Sequence, residues 1–331
     1  MSRDNAAQFQ KSSLCAALWQ IMNSFLPYAL LWFAMARALL VSYWLMLPLA
    51  ILAAGFLVRI FIIFHDCGHA SFFRSRRANN VIGVVAGLLI LTPYLHWRWQ
   101  HALHHGTAGD LDRRGEGDMW TLTVHEYLDS SWGVRCAYRL VRNPLVLFVV
   151  GPLFTFVIHH RFSSSAAPAR VRYSVWKTNA ALLGATLLMS SIVGFKSFVL
   201  IQLTVSAFAG SVGLWLFYVQ HQFKGAYWAR SRDWNFDAAA LEGSSFYKLP
   251  GVLQWFTGNI GFHHIHHLNP RIPNYRLARC HDADPYCRAI QPLTLRSSLK
   301  SLTLRLWDER QEAFVSFRQL RLRARPLNCR N

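Results

Sequence analysis

Residues 25–64 read FLPYALLWFAMARALLVSYWLMLPLAILAAGFLVRIFIIF, and only Arg37 and Arg59 among them carry charge. The hydrocarbon core of a bilayer is about 30 Å thick and takes about 20 helical residues to cross. The stretch is about 40 residues long, so it fits a tight pair of crossings, expected at about 25–41 and 45–64. Ser42, Tyr43 and Trp44 interrupt it at the middle, with Tyr43 and Trp44 suited to the membrane–water boundary. A single long buried helix is the rival reading, and Pro48 together with the length argues against it.

The same arithmetic extends outward. Residues 176–195 and 198–219 are each long enough to span, with Lys196 between them. Residues 81–95 and 145–158 are apolar but short. Fifteen residues make about 22 Å of helix, so these two runs are expected to be interfacial or re-entrant, with protein shielding their backbone. After Gln220 the chain turns polar and basic. Spaced leucines among arginines, as in LRSSLKSLTLRLWDE, suggest a basic amphipathic helix between Ser297 and Arg325, at a membrane surface or in water. The expected architecture is one all-α integral membrane domain over residues 1–331, with about four transmembrane helices.

Composition agrees with a membrane protein. The 331 residues are 53% hydrophobic and 15% charged, against about 25% charged in soluble domains. Lys and Arg number 35 against 16 Asp and Glu, a net charge of +19. A basic chain can bind nucleic acid, but here the basic residues lie mostly between and after the apolar runs, as when positive loops face the cytoplasm. Membrane lipid, rather than nucleic acid, is the expected partner. If only the four long runs cross, both termini and the blocks Arg74–Arg77, Arg113–Arg114 and Arg170–Arg172 share the cytoplasmic side, in a bacterial inner membrane. The six cysteines (15, 67, 136, 280, 287 and 329) contain no Cys-x-x-Cys pair and are expected to be reduced. Residues 1–24 show no clear signal-peptide pattern, so the first span is expected to anchor itself.

Fifteen histidines occur, and eight fall into three groups. HDCGH places His65 and His69 four apart. HALHH holds His101, His104 and His105, and GFHHIHHL repeats that spacing with His263, His266 and His267. On a helix, such spacings put imidazoles on neighbouring positions of one face. His221, just past the fourth apolar run, is a ninth candidate. In the four-span topology all of these meet on one side. Packed neutral histidines would each need a partner, whereas imidazole is a ligand for zinc, copper, iron and nickel. One zinc takes about four ligands, so eight or nine histidines imply two ions. The five glutamates show none of the Glu-x-x-His pattern of soluble di-iron bundles. HDCGH lacks the glutamate of a metalloprotease His-Glu-x-x-His. His264 falls off the shared face and is read as supporting or incidental. His96, His125, His159, His160 and His281 lack the spacing and are expected at interfaces or the surface.

The segments HDCGHASFF, WRWQHALHHGTAGDLDRRGEGDMWTLT and GNIGFHHIHHLNPRIPNYRL closely resemble the three histidine boxes of the membrane fatty-acid desaturases, most of all bacterial acyl-lipid desaturases of the Δ12 type. The resemblance runs from about Pro27 to Arg279. It implies four transmembrane helices, a cytosolic cap, and two iron ions (Fe2+/Fe3+) held by His65, His69, His101, His104, His105, His263, His266 and His267, with His221 matching the extra histidine after the last span. It implies an O2-dependent oxidoreductase that introduces a double bond into a fatty acyl chain of a lipid. The His-Pro-Gly-Gly signature of a fused cytochrome b5-like domain is absent from the sequence, which implies an external electron donor such as a ferredoxin or a cytochrome b5-like protein. A basic surface suits an acidic donor. Lipid or carotenoid hydroxylases share the same boxes and stay open as an alternative. A non-enzymatic metal transporter is disfavoured, because its ligands belong near the bilayer midplane.

Removing hydrogen from an unactivated methylene is beyond any side chain, so a cofactor must carry it. The protein's task is then to position one C–H bond. Trp97, Trp99 and Trp255 lie near the boxes and are candidates for lining a substrate tunnel. Asp66, beside the first box, is expected to orient an imidazole. Asn259, four residues before His263, is expected on the same helical face, holding a metal-bound water, packing or capping. The polar segment 109–118, GDLDRRGEGD, reads as a solvated loop or as a source of carboxylates behind the histidines.

Overall fold

Ser13 and Ser42 open the first two helices, each accepting a backbone N–H with its hydroxyl, the usual way of satisfying an orphan donor at a helix start. The structure is a computed structural model and describes residues 6–324. Helix α1 runs Leu14–Leu39 and α2 runs Tyr43–Gly68, 26 residues each. They lie together as the antiparallel pair that residues 25–64 lead one to expect. Both extend further than the apolar run alone suggests, since Ser13 sets the start of α1 and the first histidine box still continues α2. Pro27 and Pro48 sit within these helices.

The short run after the first box becomes two helices, α3 Arg76–Leu89 and α4 Tyr94–Thr107, bent by 102° at a four-residue break. The corner is built from sequence. Leu91 takes a positive φ of 56° and Pro93 precedes α4. The helices then close over Gly83, where a Cβ would stand 2.3 Å from the Tyr94 ring. Tyr94 donates its hydroxyl to the Cys67 carbonyl at 2.7 Å, tying the start of α4 to the end of α2.

After α5 Val124–Asp129 and α6 Trp132–Val141, the second short run forms an irregular helix, Val146–Arg161. Two π-helical turns, Val146–Val150 and Phe154–Ile158, flank Gly151 and Pro152. Pro152 has no N–H to give the ladder, which favours such a local shift. Helices α7 Ala169–Val193 and α8 Phe195–His221 follow, joined at Gly194. Three helices (α1, α2 and α8) are long and apolar enough to cross a membrane, or up to five spans form if each bent pair counts as one. Helix α7, expected as a span, is 25 residues long but more polar, with Arg170, Arg172 and Lys177 in its first half.

The rest of the chain covers one end of these helices with short elements: α9 Phe236–Leu241, β1 Tyr247–Lys248, α10 Gly251–Phe256, α11 His263–Leu268, α12 Asn274–Ala283 and α13 Pro285–Ala289. Gly261 lets α11 approach β1, since a Cβ there would lie 2.3 Å from the Tyr247 carbonyl oxygen. The strand β2, Leu293–Thr294, pairs with β1 in parallel, and α14, Leu295–Ser298, follows it. The fold is thus mostly helical but not purely so.

The expected amphipathic helix from Ser297 is corrected. Residues 306–308 and 313–315 form an antiparallel hairpin, β3 and β4, and a short α15, Phe317–Ala324, follows. Leu306, Trp307, Phe314 and Val315 are buried, and Trp307 N–H donates to the Leu122 carbonyl. The leucines that read as one helical face are instead shared between a turn and an inward-facing hairpin; Arg325 lies outside the described residues. No disulfide forms among the described cysteines; Cys329 also lies outside them.

Candidate metal centre

The end of α2, the second half of α4, the end of α8 and the whole of α11 converge. Nine histidines gather there in two groups, the ligand nitrogens of each within 4.8 Å of one another. The first group is His65, His69, His101, His105 and His266; the second is His104, His221, His263 and His267. These are the nine residues named from spacing and resemblance. His69 and His101 are partly exposed and the other seven are buried.

Helical geometry explains the partition. Residues four apart are about 40° apart around a helix, while the one between them in the i+3 position lies about 60° to the other side. On α4, His101 and His105 therefore face the first group and His104 the second. On α11 the same spacing works in reverse, with His263 and His267 facing the second group and His266 the first. His105 sits where the groups meet, its ring stacked on His267 with centroids 4.1 Å apart.

The nitrogens face one another. His105 Nε2 lies 3.1 Å from His101 Nε2 and 3.0 Å from His266 Nε2. His221 Nε2 lies 3.1 Å from both His104 Nε2 and His263 Nε2. Carboxylates fix two of the tautomers from behind. His104 Nδ1 donates to Asp118 at 2.6 Å, and His65 Nδ1 to Asp66 at 3.2 Å. Their Nε2 atoms then carry lone pairs, and lone pairs that face one another need a cation between them. Nε2 of His69 and of His267 are buried without any partner. At a metal–nitrogen distance of about 2.1 Å, ligands at right angles are about 3.0 Å apart and tetrahedral ones about 3.4 Å. The observed separations, from 3.0 Å up to 4.8 Å within a group, are those of nitrogens that could share one cation. Burial first, and neighbouring imidazoles second, push His263, His266 and His267 well below the ordinary histidine range. Neutral imidazole is the form that binds metal. The donor set fits two cations.

Around the groups, Asp66 also accepts from Asn274 N and Nδ2 at 2.6 and 2.8 Å, binding the first box to the start of α12. Asn274 carried no signal in the sequence. Asp118, at the end of the polar segment 109–118, does the work that one reading gave that segment. Elsewhere in the segment, Arg230 spans Asp112 and Glu309, tying it to the hairpin turn. Trp97 stacks on His101 with centroids 4.3 Å apart. Trp99 instead lies beside His96, and Trp255 packs on Phe56 and Arg59 at the far side of α2. The hollow beside the second group is lined by Phe217, Met119, Trp228 and Thr121 with His104 and His221; none of the three tryptophans lines it. Phe217 was not singled out in the sequence, although it lies one turn before His221.

Asn259 does not share a helix with His263, because α11 begins only at His263. It takes a positive φ of 60° in the turn before and donates to the Asn274 carbonyl. His264 belongs to neither group. It is buried, lies 3.4 Å from the ring nitrogen of His281, and is pushed down to about 3 by burial and then by His281. His96, His160 and His281 are buried rather than at an interface, while His125 and His159 are exposed. His96 accepts from Ser164 N, and His160 bonds with the Thr92 hydroxyl. Local partners, not spacing, account for them.

Comparison with known proteins agrees with this geometry. The family model described as fatty acid desaturase matches residues 42–293. A Bacillus subtilis protein named fatty acid desaturase is 46% identical over 315 residues, 95% of this chain and 90% of that protein. The sn-1 acyl-lipid omega-3 desaturase (ferredoxin) of Synechocystis sp. is 28% identical over 263 residues, 75% of this chain and 70% of its own. The sn-1 oleoyl-lipid 12-desaturase of the same organism is 28% identical over 245 residues, 72% and 68%.

Proposed function

The chain belongs to the fatty acid desaturase family, and is a membrane-associated oxidoreductase of lipid metabolism; from that premise we propose that it introduces a double bond into the acyl chain of a membrane lipid, with O2 and an external electron donor. The observation that carries the reading is the pair of facing imidazole groups, five and four, on one side of the long apolar helices. Per turnover, a –CH2–CH2– unit and O2, with two electrons and two protons, become –CH=CH– and two waters. Two iron ions, when bound, supply the O2 chemistry that no side chain possesses.

This chain's own residues do the rest. The nine histidines hold the ions, and Asp66 and Asp118 keep His65 and His104 in the tautomer that binds. Phe217 and Met119 exclude water beside the second group and offer apolar contact to a methylene chain. A Δ12-type outcome is the reading supported by the oleoyl-lipid relative, and a ferredoxin is the donor supported by the omega-3 relative's name. The four-span topology, with the histidine site and both termini in the cytoplasm of a bacterium, is supported by the basic residues between spans. One membrane domain over the chain goes with it.

The test is expression, with a ferredoxin system, in a host whose lipids lack polyunsaturated chains, followed by mass spectrometry that locates new double bonds. A new double bond at one position in lipid-bound chains is expected. A hydroxylated chain would move the protein to hydroxylation, and no product with donor and iron supplied would end the desaturase reading.

A further inference from the structure

Arg59 is the one charged residue of α2 before the histidine box, six residues ahead of His65 and so about 9 Å along the helix. An ionisable residue inside a membrane segment is costly and marks function unless a partner compensates it. Arg59 is 7% exposed, and among the described residues no carboxylate pairs with it. Its guanidinium donates to the Trp255 carbonyl at the end of α10 and to Asn23 Oδ1 on α1 at 3.4 Å. It also lies 3.9 Å from the centroid of the Trp255 ring. These contacts hold the side chain in place and leave its charge unneutralised.

One turn before Asn23 on α1 stands Gln20. It is 3% exposed, and its Nε2 is buried with no hydrogen-bond partner. Since α1 and α2 are antiparallel, Gln20 lies between the level of Arg59 and that of His65. The seam therefore presents a guanidinium and an orphaned amide donor. The flanks suit a lipid. Trp19 and Met22 on α1 are exposed, as are Val252 and Trp255 on α10, which gives α10 the apolar outer face of an interfacial helix.

We propose that Arg59 and Gln20 form a binding site for the phosphate group of a membrane phospholipid, at the seam of α1, α2 and α10. A phosphate oxygen accepts from the guanidinium in the charge-assisted way, and another accepts a hydrogen bond from the Gln20 Nε2–H that otherwise has no acceptor. Held there, about one and a half helical turns from His65, a lipid headgroup fixes how far its acyl chain reaches towards the histidines. The site thereby sets which carbons are presented. This last role rests on the lipid-desaturase reading above; the binding itself does not.

The binding test uses the full-length, iron-loaded protein in mild detergent and counts retained phospholipid by native mass spectrometry, with phosphatidylglycerol as probe. Wild type is expected to retain one phosphatidylglycerol that Arg59→Gln holds at least about tenfold more weakly, the loss of one charged hydrogen-bonding partner. Gln20→Leu guards against misfolding, since removing an orphaned buried amide should leave or raise thermal stability. It is expected to weaken retention while melting no lower than wild type. Equal retention by wild type and both variants would overturn the site. Displacement of the lipid by millimolar inorganic phosphate alone would overturn the lipid as ligand and assign free phosphate. In an active preparation, Arg59→Gln is also expected to spread double bonds over neighbouring positions. Retention that falls in a protein making no double bond would keep the site and reject the desaturase reading, so the two fail separately.

Discussion

The two histidine groups differ in number, in backing and in surroundings. The first has five nitrogens, and its carboxylate Asp66 is itself bound twice by Asn274. Trp97 lies flat on His101. The second has four nitrogens and is backed by Asp118 from a polar loop. Phe217 and Met119 lie beside it around a hollow. The first group is the more heavily braced, yet His69 and His101 in it are partly exposed, whereas the second is wholly buried beside a small hollow.

The largest expected effect comes from His105, the first-group residue that borders the second. His105→Ala removes a nitrogen that faces both His101 and His266 and a ring stacked on His267. Activity should fall at least about 100-fold with metal content reduced, while the protein still inserts in the membrane. His264→Ala, on the same scale, should keep its iron. Iron analysis beside product assay checks both, and full activity in His105→Ala would remove that residue from the ligand set.

The backing carboxylates sharpen the contrast. Asp66→Asn and Asp118→Asn are each expected to cost about 10–100-fold in metal affinity or activity. Only Asp66→Asn should also lower the melting temperature of the metal-free protein, because Asn274 loses a buried charged acceptor worth about 1–3 kcal/mol. Equal melting of the two variants would show that Asp66 braces nothing beyond His65. A smaller effect is expected at the hollow. Met119→Trp should reduce kcat/KM by about tenfold, roughly the worth of misplacing an apolar chain, with iron content unchanged; a loss of iron would instead mean that Met119 supports the ligands.

The smallest effect concerns pH and the loop behind the second group. At Asp112 the hydrogen bond from Arg230 leads in holding the carboxyl below its usual range. At Asp110 and Glu126 burial pushes upward, but bonds from Arg113 and Arg114 outweigh it and the net direction is down. A folded value below the unfolded one gives stability that is whole above about pH 4 and is lost as pH falls through the folded value. Melting should therefore be flat in this loop from pH 8 to about pH 5 and decline only below about pH 4. An earlier decline confined to the loop would contradict these directions.

The i,i+3,i+4 spacing of two boxes made the convergence of nine histidines legible, because angle on a helix is a local property. Which of the two groups each ring joins was not legible. It depends on how α4 and α11 are rolled against each other, and the same spacing gives opposite assignments on the two helices. Asn274 and Asp118 were invisible or ambiguous for a similar reason: they reach the boxes across the fold. The two long crossings near the start could be read from length and hydropathy. The tail was misread because leucines in LRSSLKSLTLRLWDE fit a helical stripe, whereas Tyr218, Arg142 and Leu122 offer backbone and side-chain partners that draw residues 301–307 into a turn and hairpin. Asn259 shows the limit of counting residues, since it stands with Gly258 at positive φ in the turn between α10 and α11 and not on the helix of His263.

The first group draws on residues from His65 to His266, and the second on residues from His104 to His267. Neither can assemble until synthesis has passed the last box, well after α1 and α2 have entered the bilayer. Until then the early histidines lack the partners that His263, His266 and His267 supply. The site is thus completed by the last box, and a chain cut before α11 would keep six of the nine imidazoles without closing either group.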